Sequence, residues 1–330
     1  ADIINAETEI QAKIAREQLE GKLSQAISDL GEPLRNLLAE IEAYIDFPDE
    51  DISPITQEQW LDVLSKIAKK VEAYISSYQQ GKICREGALV VLAGVPNAGK
   101  SSLLNRLLGE DRAIVTSIAG TTRDSLEEVA SINGLRIRFC DTAGLAEEGA
   151  GRELDEVEKL GIARSWKKLE NSDLTLFILD ASTDFKMQEA ALLNVRPTAK
   201  KLLVVANKSD LITENTKGNL LAKLKGDEVI FISAKSGDAI EELQSKIFTS
   251  VIDSNRDSSS ILICSERHLE ALKTTFLMLQ ETKVAIESKV PSEFVSANLR
   301  SALTALNDII GVTHTEDILG RIFSKFCIGK

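Results

Sequence analysis

The sequence predicts a doubly wound α/β domain inserted into an all-α helical bundle, and three observations predict it. The apolar run Ala88-Leu89-Val90-Val91-Leu92 has the character of a buried strand and leads into Gly94-Val95-Pro96-Asn97-Ala98-Gly99-Lys100-Ser101, the spacing of a phosphate-binding loop. Further strand-length apolar runs follow at Leu135 to Cys140, Leu202 to Ala206 and Val229 to Ile232. Outside residues 85–252, on both sides, the apolar residues recur instead at threes and fours, the period of an amphipathic helix.

In the first flank that period runs through Ile10, Ile14, Leu23, Ile27, Leu30, Leu34, Leu37, Ile41 and Ile45, predicting one helix kinked at Pro33. Thr56-Gln57-Glu58-Gln59 is a capping box opening a second helix, through Trp60, Leu61, Leu64, Ile67, Val71 and Ile75 to Gly81. After the polar stretch Asp253 to Ser260, helical spacing returns at Leu269, Leu272, Phe276 and Leu279, then at Phe294, Leu299, Leu303 and Leu306, with Pro291 suited to a first turn. Neither flank has enough apolar surface to enclose a core. Residues 1–84 and 253–330 are therefore expected to build one helical domain, with 85–252 inserted.

The loop after the first strand carries the first piece of chemistry. Its glycines let the backbone bend so that N–H groups converge on a triphosphate, and Asn97, Ala98, Gly99, Lys100, Ser101 and Ser102 are the expected contacts. Lys100 would reach the β- and γ-phosphates and Ser101 would give Mg²⁺ a hydroxyl ligand. The helix Ser101 to Leu108, ending at Gly109, completes the strand–loop–helix context. Asp141-Thr142-Ala143-Gly144 closes the Leu135 to Cys140 strand. There Asp141 can hold Mg²⁺ through water and the Gly144 N–H can meet the γ-phosphate. One threonine of Gly120-Thr121-Thr122-Arg123-Asp124 would complete the Mg²⁺ shell.

Asn207-Lys208-Ser209-Asp210 follows the Leu202 to Ala206 run and suits the reading of guanine. The Asp210 carboxylate accepts from N1–H and the 2-amino group, a pair of donors that adenine lacks. Asn207 and the stem of Lys208 would brace the loops and the base face. Ser233-Ala234-Lys235, after Val229 to Ile232, suits a loop that meets guanine O6 through a backbone N–H. The inserted domain is thus expected to be a Ras-like, P-loop GTPase domain binding GTP and GDP.

Leu145 stands where Ras-like GTPases place a glutamine that orients the attacking water. Water must then be positioned by another group. Arg152-Glu153-Leu154-Asp155-Glu156-Val157-Glu158 offers carboxylates, most of which default to a solvated helix face.

Asn97 within the phosphate loop, Gly-Thr-Thr-Arg-Asp, Asp141 to Leu145, Asp155 to Glu158 and the terminal Cys327-Ile328-Gly329-Lys330 together resemble the tRNA-modification GTPases of the MnmE (TrmE) family. The resemblance spans essentially the whole chain, and the tail Leu319 to Lys330 is its most specific part. Members begin with a folate-binding, dimer-forming domain; this chain, opening without Met inside an expected helix, is read as lacking it. The resemblance implies a K⁺ ion beside the phosphates, held by the Asn97 side chain, the Thr116 and Ile118 carbonyls and Thr121. The whole loop Thr116, Ser117, Ile118, Ala119, Gly120, Thr121 and Thr122 would then line GTP. It also implies Thr122 and Ser101 as Mg²⁺ ligands and Glu158 as the carboxylate that orients the attacking water. Without the resemblance, Asn97 would read as a turn former.

The implied activity is K⁺-dependent GTP hydrolysis driving C5 (carboxymethyl)aminomethyl modification of the tRNA wobble uridine. Members act as homodimers, with a flavin-dependent partner and a folate one-carbon donor. Lys330 would contact the folate and Cys327 would take part in the chemistry, although on sequence alone Cys327 suits a small packed hydrophobe. The competing readings are a ribosome-assembly GTPase and a GTP-gated scaffold with little turnover.

With 39 basic and 51 acidic residues the formal charge is −12, which excludes a general electrostatic footprint for nucleic acid. Any tRNA contact must be local or lent by the partner. Cys84, Cys140, Cys264 and Cys327 have no C-x-x-C spacing and His268 and His314 do not accompany them, so neither a disulfide framework nor zinc is indicated. No signal peptide or long apolar span is seen, and a cytoplasmic protein without membrane attachment is expected.

Overall fold

A computed structural model of the chain describes residues 3–4, 6–46, 56–110, 127–141, 156–252 and 261–311, with residue 110 and residues 156–159 described for backbone alone. In order, the elements are α1 (Glu9–Leu19), α2 (Lys22–Asp46), α3 (Gln57–Glu86), β1 (Ala88–Gly94), α4 (Lys100–Glu110), β2 (Glu127–Ile132) and β3 (Leu135–Asp141). They continue with α5 (Glu156–Asn171), β4 (Leu174–Asp180), α6 (Lys186–Val195), β5 (Leu202–Asn207), a 3₁₀ turn (Ser209–Leu211) and α7 (Glu214–Lys223). The last are β6 (Glu228–Phe231), α8 (Ile240–Val251), α9 (Glu266–Glu287) and α10 (Ser292–Ile310).

Two compact units result, one of residues 1–13 with 83–256, the other of 14–82 with 257–330. In the first unit six strands form one sheet in the order β2-β3-β1-β4-β5-β6, with β2 antiparallel to β3 and every other pair parallel. Alternation along the strands divides the apolar residues between two faces. Ala88, Val90 and Leu92 join Leu103, Leu107, Leu243 and Ile247 on one side, while Val91 and Ala93 join Leu169, Phe177, Leu192 and Val195 on the other. In the sheet β1 lies between β3, which the chain reaches from β1 by way of α4 and β2, and β4, which it reaches from β3 by way of α5, so β1 ends at a topological switch point, where ligands of open α/β sheets bind. The N-terminal segment packs in this unit too, with Arg136 on Glu7 at 3.0 Å and Gln11 donating to the Arg85 carbonyl at 2.8 Å.

The second unit is a helical bundle whose core takes Ile27, Leu34 and Ile41 from α2, Leu64 and Val71 from α3, Leu272 and Leu279 from α9, and Leu299 and Leu306 from α10. Each side chain comes from an apolar stripe read above. Glu42, buried in α2, holds Arg300 of α10 at 2.7 Å.

Three helix boundaries differ from the sequence reading, one of them that of α4, which runs past Gly109 to Glu110. The first predicted helix breaks at Gly21, which takes φ +77° and ends α1, while α2 runs on through Pro33. A left-handed glycine ends a helix outright, whereas proline removes only one hydrogen bond and packing holds the rest. The capping box forms, Thr56 N–H donating to Gln59 Oε1 at 2.9 Å and Gln59 N–H to Thr56 Oγ1 at 3.4 Å. Its helix passes through Gly81 and ends at Gly87, which has φ +89°. Phe294, expected on the apolar stripe, is 62% exposed because its neighbour Val295 takes the core position. The strands β2 and β4 and the helix α6 are elements the sequence reading did not single out. Among the described residues no helix is long and apolar enough to cross a membrane.

Candidate functional site: a nucleotide site at the end of β1

The phosphate loop joins β1 to α4 at the switch point. Gly94 takes φ +143° against the Ile178 carbonyl of β4, an approach that any Cβ would block. Gly99, at φ +93°, lies so close to the Asn207 amide that a Cβ would fall on Nδ2. Asn97 between them is itself left-handed, at φ +63°, with its side chain exposed. The loop therefore presents the N-terminus of α4, with Ser101 and Ser102 exposed there.

Lys100 folds back across this loop, Nζ donating to the Gly94 carbonyl at 2.9 Å and the Val95 carbonyl at 3.0 Å. Burial pushes its ammonium below the usual lysine range, while the Asp141 charge pulls the other way. A half-buried cation beside converging N–H groups fits a polyphosphate, which would supply the missing counter-charge. Asp141 is exposed at the end of β3, paired in register with Leu92 of β1. Its carboxylate and the Ser101 hydroxyl are hard oxygen donors suited to Mg²⁺.

The base side is built on β5. The Asn207 side chain, buried, donates from Nδ2 to the Ala98 carbonyl at 2.9 Å and accepts on Oδ1 from the N–H groups of Ala234 at 3.0 Å and Lys208 at 2.8 Å. One amide thereby ties the phosphate loop to both loops expected at the base. Ser209 N–H donates to the Ile232 carbonyl at 3.0 Å, and Asp210 is exposed in the following 3₁₀ turn. Lys208 is left-handed, at φ +63°, and its Nζ reaches the Asn97 carbonyl at 3.0 Å and Asp180 Oδ2 at 2.6 Å. Ser233 is fully buried, with Ala234 also buried and Lys235 exposed.

Two residues that hold this arrangement escaped sequence reasoning. Asp180 ends β4, and its backbone and the buried Gln188 side chain exchange two hydrogen bonds, at 2.7 and 2.9 Å. Arg106 of α4 donates to the Ala234 and Lys235 carbonyls. Asp180 closes an apolar run, Leu174 to Asp180, which was the available signal; Arg106 has none, because an arginine on a helix reads as solvated.

Several expected site residues lie outside the described residues: Thr116, Ser117, Ile118, Ala119, Gly120, Thr121 and Thr122, then Thr142, Ala143 and Gly144, and finally Cys327 and Lys330. Glu158 lies on α5, in the part described for backbone alone. Cys84, Cys140 and Cys264 are buried free thiols, and burial pushes the Cys84 thiol up to about 11. Among the described residues no three His, Cys, Asp or Glu side chains cluster as a metal site.

A phosphate loop at the switch point, tied through one asparagine to loops of guanine-reading type, separates the P-loop GTPases from other doubly wound proteins, and this chain is one. The family profile described as the MnmE helical domain matches residues 1–327. The tRNA modification GTPase MnmE of Clostridioides difficile is 38% identical over 330 residues, all of this chain and 71% of that protein. The tRNA modification GTPase MnmE of Aquifex aeolicus is 40% identical over 331 residues, with the same two coverages. The solved G domain of the T. maritima FeoB iron transporter is 30% identical, covering 50% of this chain and 99% of that one, at a TM-score of 0.37. The chain belongs to the MnmE family of tRNA modification GTPases.

Proposed function

We propose that this chain is a K⁺-dependent GTP hydrolase that drives C5 (carboxymethyl)aminomethyl modification of the wobble uridine of tRNA. The observation that carries the nucleotide part is the Asn207 side chain, which joins the Ala98 and Ala234 loops in one hydrogen-bonded unit. Family membership carries the tRNA part.

In this reading Lys100 and the N–H groups from Asn97 to Ser102 bind the phosphates, and Asp210, with the Ser233-Ala234-Lys235 loop, reads the base. Thr142, Ala143, Gly144 and the loop from Thr116 to Thr122 enclose the γ-phosphate, and Glu158 orients the attacking water in place of the glutamine that Leu145 replaces. Ser101, Thr122 and, through water, Asp141 would hold Mg²⁺, and Asn97, Thr116, Ile118 and Thr121 would hold K⁺; both cations neutralise charge developing on the phosphates. Cys327 and Lys330 serve the modification chemistry, Lys330 by contacting the folate donor. The protein works in the cytoplasm as a homodimer with a flavin-dependent partner, and tRNA contact is local or lent by that partner.

The test is GTP turnover in KCl against NaCl at saturating Mg²⁺. Turnover is expected to be at least about tenfold faster in KCl, the scale of one well-placed electrostatic contact, with Asn97→Ala removing most of the difference. Equal rates in the two salts overturn the potassium assignment. Unmodified wobble uridine in cells lacking the full-length protein is the corresponding result for the tRNA assignment, and normal modification there overturns it.

A further inference from the structure

We infer that Arg106 is a positioning residue for base specificity, fixing the peptide whose N–H reads the 6-oxo group of the nucleotide. The inference rests on the guanine-nucleotide reading above and assigns a role to a residue outside its motifs. Arg106 lies on α4, about two turns beyond Lys100. Its Nε donates to the Ala234 carbonyl at 3.3 Å and its Nη2 to the Lys235 carbonyl at 2.9 Å.

The geometry of the loop makes these contacts consequential. The Ala234 N–H is occupied by Asn207 Oδ1 at 3.0 Å, so the next donor along the loop is the N–H of Lys235, which has no hydrogen-bond partner among the described residues. That N–H belongs to the same trans peptide unit as the Ala234 carbonyl and points the opposite way in one plane. Holding the carbonyl from the α4 side therefore aims the N–H. The contact on the Lys235 carbonyl fixes the following plane, so both peptides around Lys235 are clamped by one guanidinium.

The loop's internal bonds do not hold the first of these two peptides. Ser233 N–H donates to the Asp238 carbonyl at 3.1 Å, Ser236 N–H to Ser233 Oγ at 3.1 Å, and Gly237 N–H to the Ser233 carbonyl at 2.8 Å. They close the turn on either side and leave the peptide between Ala234 and Lys235 to Arg106. A Cβ at Gly237 would stand 3.4 Å from Arg106 Nη2, so the turn lies directly against the guanidinium. A planar fork can serve two successive carbonyls in fixed geometry, which a lysine ammonium cannot reproduce. Because α4 begins at the phosphate loop, the same helix that meets the phosphates also sets the base-reading donor.

The experiment measures affinity of the chain for GDP, 6-thio-GDP, whose sulfur is a poorer acceptor, and IDP, which lacks the 2-amino group. Arg106→Ala is expected to weaken GDP about five- to tenfold, the scale of one hydrogen bond to a charged or well-aligned group. It should shrink the GDP to 6-thio-GDP preference towards one and leave the GDP to IDP preference, which reports Asp210, unchanged. Turnover at saturating GTP should stay within about twofold, since the interaction is made equally in ground and transition states. Arg106→Lys, which keeps the stem and the charge, should move the 6-thio preference in the same direction. A 6-thio preference unchanged in both variants, or an equal fall in both preferences, overturns the inference. A wild-type chain that binds GDP and 6-thio-GDP equally overturns the base reading itself, and this inference with it.

Discussion

The Asp180 carboxylate and the Lys208 ammonium meet at 2.6 Å where β4 and β5 end side by side. Asp180 also accepts from the Ser182 N–H at 2.9 Å and the Ser182 hydroxyl at 2.6 Å, so the acid is fixed before the lysine reaches it. Lys208 spends its remaining reach on the Asn97 carbonyl, which makes Asp180 the anchor for a strut between the base loop and the phosphate loop.

Burial alone would push the Asp180 carboxyl up, but the Lys208 and Ser182 hydrogen bonds outweigh it and hold the group below the ordinary carboxylate range. A depressed carboxyl contributes stability that is present above its unfolded pKa and lost as pH falls through the folded one. Asp180→Asn is therefore expected to lower stability at neutral pH by about 1–3 kcal/mol and to flatten the acid side of the stability profile. Urea unfolding followed at neutral pH and then below the usual carboxylate range checks both. A variant with the wild-type acid dependence would place the ionisable anchor elsewhere.

Asp210 is exposed in a 3₁₀ turn that Ser209 pins to the Ile232 carbonyl. Asp210→Asn reverses the donor and acceptor pattern offered to the base. GTP affinity should fall by about two orders of magnitude and xanthine nucleotides should become preferred, as expected when a site built for one hydrogen-bond pattern meets another. Direct titration with both nucleotides decides it; unchanged GTP affinity would mean that another residue reads the base.

Gly81 lies inside α3, where alanine would ordinarily favour the helix by about 1 kcal/mol. Here a Cβ would collide with the Ile263 carbonyl oxygen and approach the Cys264 sulfur. The obstacle is backbone, which yields less readily than a flexible side chain, so the overpacking cost of about 1–3 kcal/mol should exceed the helix gain. Gly81→Ala is expected to lower the denaturation midpoint of the helical unit while GDP binding stays normal. A raised midpoint would show that the 261–263 segment moves aside at little cost.

How much of this was legible in the chain depends on how local each signal is. The phosphate loop, the strand runs at β1, β3, β5 and β6 and the capping box at Thr56 were all readable, because each depends on a period or spacing within a few residues. Where α1 ends was also written locally, at Gly21, yet the apolar period continued across it and suggested one helix. Gly81 read as a stop for the opposite reason: the close approach of Ile263 that explains it comes from residues far along the chain.

The sequence by itself determined that the chain binds a phosphate-bearing ligand and that its two ends are helical, since strand, loop and helix periods are properties of neighbouring residues. Only the tertiary structure decided that Asp180 anchors Lys208, that Asn207 joins Ala98 to Ala234, and that Arg106 clamps the peptides around Lys235. Each of these joins residues far apart in the chain, with at least one partner in a loop beyond a strand end. Their chemistry is set by orientation across the sheet end, and a hydrogen bond between residues many positions apart leaves no periodic mark on either one.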